Sequence, residues 1–203
     1  MVKKLITAGL LVLALVSTGA AIDFRAVKLK KFLERYPGSP LVSHTQEIVH
    51  CADRFGLDYR LYVAISGAES GYGRHYPKNT YNLTGISNGR YGFRSIYGNI
   101  YYTHRLLATT KWYHKYRRTG ELMDLIYVYK AVPPYDRYLR ILRYAMHEIA
   151  FVSIEKEKKE WLAKINSPAY KKSVRLAKQT KQLADWGAIR YDQHQPGKPT
   201  AVF

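Results

Sequence analysis

Residues 71–94 lie between two stretches of helical periodicity and carry none of it themselves. They are dense in Gly, Tyr, Asn and Pro, so neither a helix nor a regular strand accounts for them, and a long ordered loop or small hairpin lobe is expected. Structureless loops of this length are uncommon in compact domains, and where they persist they usually carry function. The segment before the lobe is a short helix. Asp58 is its expected N-cap, Leu61, Ala64, Ile65 and Ala68 form its apolar face, and Gly67 with Ala68 permits close backbone approach. It ends at Glu69-Ser70-Gly71, so a carboxylate stands where the helix meets the lobe.

The rest of the chain reads as helices. Residues 24–36 form a short basic amphipathic stretch that stops at Pro37-Gly38. Ser39-Pro40 has the form of an N-cap followed by proline at the first helical position. From there Leu41, Thr45, Ile48, Val49, Ala52 and Phe55 fall at helical spacing until Gly56 ends the stripe. Beyond the lobe, helices are expected over 95–116, over 121–130 up to Pro133-Pro134, over 136–164, and from Ser167-Pro168 to about Trp186. The charged run 155–160 reads as a solvated face. The expected organisation is an N-terminal export segment (1–21), a basic linker (22–38), a mainly α catalytic domain (39–165), a basic C-terminal helical extension (166–192) and a flexible tail (193–203).

Lys3 and Lys4 precede an apolar run from Leu5 to Val16 and then small residues through Ala21. That is the layout of a secretory signal peptide, with cleavage expected near Ala20 or Ala21; left uncleaved, it would anchor the chain to a membrane. The expected location is therefore the periplasm, the cell wall or the outside of the cell. Cys51 is the only cysteine of the chain and lies within a helical pattern, so it reads as a small core residue rather than a disulfide or lipid attachment point. Lysine and arginine outnumber aspartate and glutamate by 33 to 15, a balance that attracts polyanions. The 19 tyrosines offer flat faces with a hydroxyl, suited to sugar rings and to bases alike.

A carboxylate at the end of a helix whose other faces are Leu, Ile and Ala is partly desolvated. Its pKa rises, and it can remain protonated as a general acid. Glycoside cleavage needs such an acid to protonate the leaving oxygen. The run Glu69-Ser70-Gly71-Tyr72-Gly73, followed by Asn79 and by Tyr81-Asn82-Leu83-Thr84-Gly85-Ile86, resembles the lysozyme-like superfamily, and more narrowly the bacterial glucosaminidases and soluble lytic transglycosylases. Phe32-Leu33, Tyr36, Ser39-Pro40-Leu41 and Tyr127-Val128-Tyr129 extend the resemblance over roughly residues 32–149. It implies a lysozyme-like helical domain whose central helix ends at the catalytic glutamate and whose cleft is walled by the lobe. It further implies Glu69 as proton donor, with Ser70 positioning it or the substrate. Tyr72, Asn82, Gly85 and Ile86 would form the sugar site, with Tyr129 as the cleft tyrosine of an Ala-Tyr-Asn motif. Two departures stand out: no Met-Gln pair follows Gly85, and Lys130 replaces the motif asparagine.

No aspartate or glutamate occurs from Ser70 to Gly120. Paired-carboxylate glycosidases need a second acid, which would have to come from Asp53, Asp58, Asp124 or Asp136. The simpler expectation is a single-acid mechanism in which the substrate's own acetamido oxygen or 6-hydroxyl attacks the anomeric carbon. The expected partners are peptidoglycan strands and anionic wall polymers, with no metal and no cofactor. None of the seven histidines sits in an H-E-x-x-H pattern; His147-Glu148 is only a dipeptide, and His75, His104 and His114 suit solvated or capping roles. Two other readings compete. A nucleic-acid module would grip phosphates and stack bases through the arginines and tyrosines of 90–118, but export argues against it. A lysozyme-like fold without catalysis would serve as a wall-binding scaffold, and the presence of Glu69 argues against that.

Overall fold

The computed structural model describes residues 22–77 and 79–193, and the expected export segment and nearly all of the expected tail lie outside them. The described residues are mainly helical and contain no β-strand, so the lobe is irregular rather than a hairpin. The chain divides into two compact units, Asp23–Ile154 and one that holds Glu155–Gln193.

The first unit begins earlier than the sequence suggests. Residues 22–38, expected as a linker, contain α1 (Phe24–Leu33), which buries Ala26, Leu29, Phe32 and Leu33 in the core. Asp23 caps it by accepting from Arg25 N at 2.8 Å. The basic residues on its outer side do not mark a tether. Lys28 Nζ donates to Ala150 O and Lys31 Nζ to Ser153 O (2.8 Å), while Arg35 pairs with Glu148 at 2.8 Å. Lys28 and Lys31 supply donors to carbonyls at and just past the end of the helix that closes at Phe151, and Arg35 pairs with a carboxylate on it.

Ser39-Pro40 opens a 3₁₀ turn over Pro40–His44, but the serine makes no side-chain cap; its hydroxyl donates to Tyr72 O at 2.7 Å. Helix α2 (Thr45–Phe55) buries Ile48, Val49, Cys51 and Ala52, and ends at Gly56 with φ +64°. Asp58 turns the chain by accepting from Arg60 N (2.9 Å), so α3 (Leu61–Ser70) starts two residues later than an Asp58 cap would place it. Every residue from Leu61 to Ser66 is buried, which makes α3 a helix with no solvent face over its first six residues.

After the lobe, Ser95 caps α4 (Ile96–Thr109) by accepting from Gly98 N at 3.0 Å. The helix expected to run to residue 116 breaks at Thr110. Thr109 and Thr110 hydroxyls donate back to Arg105 O and Leu106 O at 2.8 Å, and Arg117 donates to Leu107 O and Thr110 O, so side chains take over the carbonyls that further helix would have used. A 3₁₀ turn (Lys111–Tyr113) and α5 (His114–Thr119) follow. Helix α6 (Leu122–Tyr129) leads through Pro133-Pro134 to α7 (Tyr135–Phe151), which packs along α3. The single helix expected over 136–164 is also broken, because Val152 and Ile154 turn into the core in an extended segment. Helices α8 (Glu155–Asn166) and α9 (Pro168–Gln193) form the second unit, where Ile165, Tyr170 and Val174 floor a groove edged by Lys171, Arg175 and Lys178.

Beneath the lobe the core holds a polar network. Tyr62 donates to Asn99 Oδ1 (2.7 Å), Asn99 Nδ2 to Thr84 Oγ1 (2.9 Å), and the Thr84 and Thr103 hydroxyls lie 2.9 Å apart. Because each side-chain nitrogen and oxygen of these four residues has a partner, the network ties the lobe to α3 and α4 without leaving a buried polar atom unbonded. His104, expected to be solvated or capping, is instead a core residue. Its ring stacks on Tyr62 at 5.5 Å, and Nδ1 lies 2.7 Å from Ile100 O.

Burial lowers the His104 pKa from 6.5 to about 4. The unfolded state therefore binds more protons between those values, and stability is full above 6.5 and lost as pH falls towards 4. The expected loss is roughly 3 kcal/mol at 1.36 kcal/mol per unit. Urea denaturation of wild type and His104→Phe at pH 7 and pH 4 checks it: the wild-type midpoint should drop more between the two pH values than that of the variant.

Candidate active site

The end of α3 is shaped by three successive left-handed residues, Gly71 (φ +57°), Tyr72 (+64°) and Gly73 (+79°). Tyr72 N returns to Ser66 O (3.0 Å) and Gly71 N to Gly67 O (3.2 Å), closing the helix. The reversal folds the Tyr72 ring under Gly67, where a Cβ would stand 2.5 Å from Tyr72 Cε1. Tyr72 is thus buried against Phe32 and Tyr36, with ring centroids 5.3 and 4.0 Å away. Its expected place in the sugar site is corrected: it anchors the turn.

Ser70 is likewise buried. Its hydroxyl donates to Leu83 O (2.6 Å), with Ser66 O at 3.0 Å, and accepts from Gly73 N at 2.9 Å. Its proton is engaged and burial keeps a sugar from reaching it, so Ser70 positions Glu69 by fastening the helix end to the lobe. Asn82 follows the same logic. Its Nδ2 donates to Ile86 O (2.8 Å) and Tyr91 O (2.9 Å), and its Oδ1 accepts from Ile86 N (3.0 Å). It borders the cleft, yet its amide is spent on holding residues 82–91 in shape. Ile86 is buried and does not line the cleft.

Glu69 emerges into a cleft of about 410 Å³ bordered by His75, Pro77, Gly85, Asn88, Tyr129 and Lys130, among others. Gly85 (φ +68°) lies against the carboxylate so closely that a Cβ there would overlap Oε2 and sit 2.9 Å from Cδ. Only glycine admits this approach and this φ together. Tyr129, at the end of α6, donates to Thr84 O at 2.5 Å, so it borders the cleft while bracing the wall. The remaining contact was not foreseen: Tyr138 on α7 donates to Glu69 Oε1 at 2.8 Å. Tyr138 falls at helical spacing with Leu142, Ala145 and Ile149, all buried, and so reads as one more core residue. The available signal was its hydroxyl, which at the rim of a buried stripe requires a partner.

Solvent reaches Glu69 from the cleft, but protein closes round its other sides. This partial desolvation raises its pKa above the ordinary 4.5, against the opposing effects of the Tyr138 hydrogen bond and the Lys130 charge. The neutral, proton-donating form is thereby favoured relative to that of a fully solvated glutamate. Burial also drives the Tyr138 and Tyr129 phenols upward, so both remain neutral donors.

Second carboxylates are not found here. Asp53 is paired with Arg25 (2.6 Å), Asp58 with Arg60, and Asp124 with Lys115 (2.6 Å) and Thr119 (2.8 Å). Asp136 is exposed on the first turn of α7. Among the described residues, Glu69 is the only carboxylate on the cleft or on the neighbouring cavity beside Tyr138.

Because the folded state holds the Glu69 proton more tightly than the unfolded state does, stability is full below 4.5 and falls as pH rises through the folded pKa. Glu69→Gln removes this titration while keeping an acceptor for Tyr138. The variant should melt above wild type at pH 7, and the gap should shrink at pH 4, as read by scanning calorimetry. His104 is present in both proteins and cancels from the comparison. No protein-family model, no curated protein and no solved structure matches the chain.

Proposed function

We propose that the protein is an exported glycosidase of the lysozyme-like kind that cleaves the β-1,4-linked glycan strands of peptidoglycan with Glu69 as its single acid. The observation that carries this reading is one partly desolvated glutamate at the end of a buried helix, held by Gly85 and Tyr138, with no second carboxylate beside it among the described residues. The placement of Glu69 between a helical body and an irregular lobe suits the lysozyme-like resemblance. The cleft volume suits one or two sugar rings.

In the proposed reaction the neutral Glu69 carboxyl gives its proton to the glycosidic oxygen as the bond from that oxygen to C1 breaks. The acetamido oxygen of the same sugar closes on C1 and shares the positive charge. Glu69, now a carboxylate and hydrogen-bonded by Tyr138, then accepts a proton from the attacking hydroxyl. If that hydroxyl is the sugar's own 6-hydroxyl, the product is a 1,6-anhydro sugar; if it is water, a reducing end forms. Among the described residues no second carboxylate is placed to activate water from the opposite face, which disfavours direct displacement by water; of the two outcomes that remain, the internal route through the 6-hydroxyl needs no bound water.

A gel containing peptidoglycan should show a clearing band for the wild type and none for Glu69→Gln, whose activity should fall by at least about 10²-fold. Mass spectrometry of the soluble fragments should find the 1,6-anhydro product. Clearing that survives the substitution overturns the assignment of Glu69, and reducing ends alone overturn the internal route.

A further inference from the structure

Beside Glu69, on the other side of its bond to Tyr138, lies a second cavity of about 340 Å³ lined by Ala68, Lys130, Pro134, Arg137, Tyr138 and Ile141. Two of its six lining side chains are cations and none is an anion. Lys130 borders both this cavity and the cleft that holds Glu69. Among the described residues, neither the Lys130 ammonium nor the Arg137 guanidinium has a hydrogen-bond acceptor or a close ion-pair partner; the Lys130 charge acts on Glu69 across the cleft, and its Nζ lies 5.9 Å from the Tyr138 ring centroid. Arg25, Arg60 and Lys115 of the same unit are by contrast engaged with carboxylates. The backbone also fixes where Lys130 stands. It ends α6, and the next residue, Ala131, takes φ +61°, an uncommon conformation for a residue with a Cβ. Val132 N closes the bend on Lys130 O at 2.8 Å. Such outliers collect at functional sites, where surrounding structure holds them.

Resting on the glycosidase reading, we propose that this cavity is an anion subsite, in which Lys130 and Arg137 take a carboxylate carried on the sugar next to the scissile bond. The acidic substituent of a muramic acid unit has this chemistry, whereas an N-acetylglucosamine homopolymer lacks it. Arg137 offers a planar fork matched to a carboxylate, and Lys130 a point charge beside it. Ala68, Pro134 and Ile141 supply apolar wall for a sugar face or a lactyl methyl. The site would select the acidic glycan and set which sugar faces Glu69.

Binding to the Glu69→Gln protein reads the subsite without cleavage. The probes are an alternating N-acetylglucosamine–muramic acid tetrasaccharide with free lactyl carboxylates, the same compound with those carboxylates converted to methyl amides, and neutral chitotetraose, each titrated calorimetrically. The acid should bind at least about tenfold tighter than the amide. Adding Lys130→Met and Arg137→Met should bring the two within twofold and weaken the acid at least about fivefold more than chitotetraose, while Lys130→Arg alone should keep the preference. Equal binding of acid and amide, no binding of either, or equal weakening of all three probes by the double substitution each overturns the subsite. Wall clearing by the wild type that is lost in Glu69→Gln would still stand in those cases, so the two readings fail separately.

Discussion

A helix buried all round can expose a working group only at its end, and the rest of this unit is arranged about that constraint. The first six residues of α3 have no solvent face, so α7 and α4 must cover it and the chain must leave it through a tight reversal. Glu69 stands one residue before the last of the helix and Ser70 is the last. The hydroxyl of Ser70 fastens that end to Leu83 and Gly73, which ensures that the carboxylate beside it cannot swing with a frayed terminus.

The walls of the cleft are held by backbone conformation more than by side-chain bulk. Among the described residues, six other than glycine have positive φ; Tyr72, Asn79, Tyr81, Ser87 and Asn88 belong to the lobe, and Ala131 to the elbow facing it. Chains adopt such angles where local hydrogen bonds over-determine them. The amide of Asn82, with three bonds to residues 86 and 91, does this for the lobe, and the Thr84–Asn99–Tyr62 chain anchors it to the helices. An irregular segment can therefore be as fixed as a strand, provided its polar groups are satisfied from within.

The helical stripes were legible in the sequence because burial repeats at the helical period. Ile48, Val49 and Ala52 of α2 and Leu61, Ala64 and Ile65 of α3 are buried as their spacing requires. Helix ends were less legible, since Thr109, Thr110 and Val152 stop helices by side-chain bonding or by turning inward, which no periodicity encodes. The basic surface of α1 suggested a linker, because charge alone does not reveal that Lys28 and Lys31 reach carbonyls more than a hundred residues away. Glu69 and its contact Gly85 could be read from their motifs. Tyr138 could not, because its role depends on which helix packs against α3. Motif position misplaced Tyr72 and Ile86, which are buried and do not line the cleft, and it left open whether Ser70 holds the acid or the substrate; the fold has it hold the acid.

A single acid that must give up a proton and then recover one cannot have a pKa set by burial alone. Desolvation by itself would hold the proton too firmly for the first half of such a reaction, its donation to the glycosidic oxygen. Tyr138 and Lys130 oppose it, the first by hydrogen bonding to the charged form and the second by its charge, and both are anchored outside α3. The acidity of Glu69 is thus set by elements brought together only by the fold. This gives a physical meaning to the lysine that stands where the resembling families have asparagine: it adds a charge beside an acid with no carboxylate neighbour. In a paired-carboxylate site the partner's charge would raise the acid's pKa and a nearby lysine would offset it; here the lysine faces only desolvation. One cation can then serve the acid on one side and a substrate anion on the other, because it borders both cavities. On the anion-subsite proposal, a substrate carboxylate drawn to Lys130 would also weaken its pull on Glu69, shifting the acid further towards its protonated form as the glycan binds.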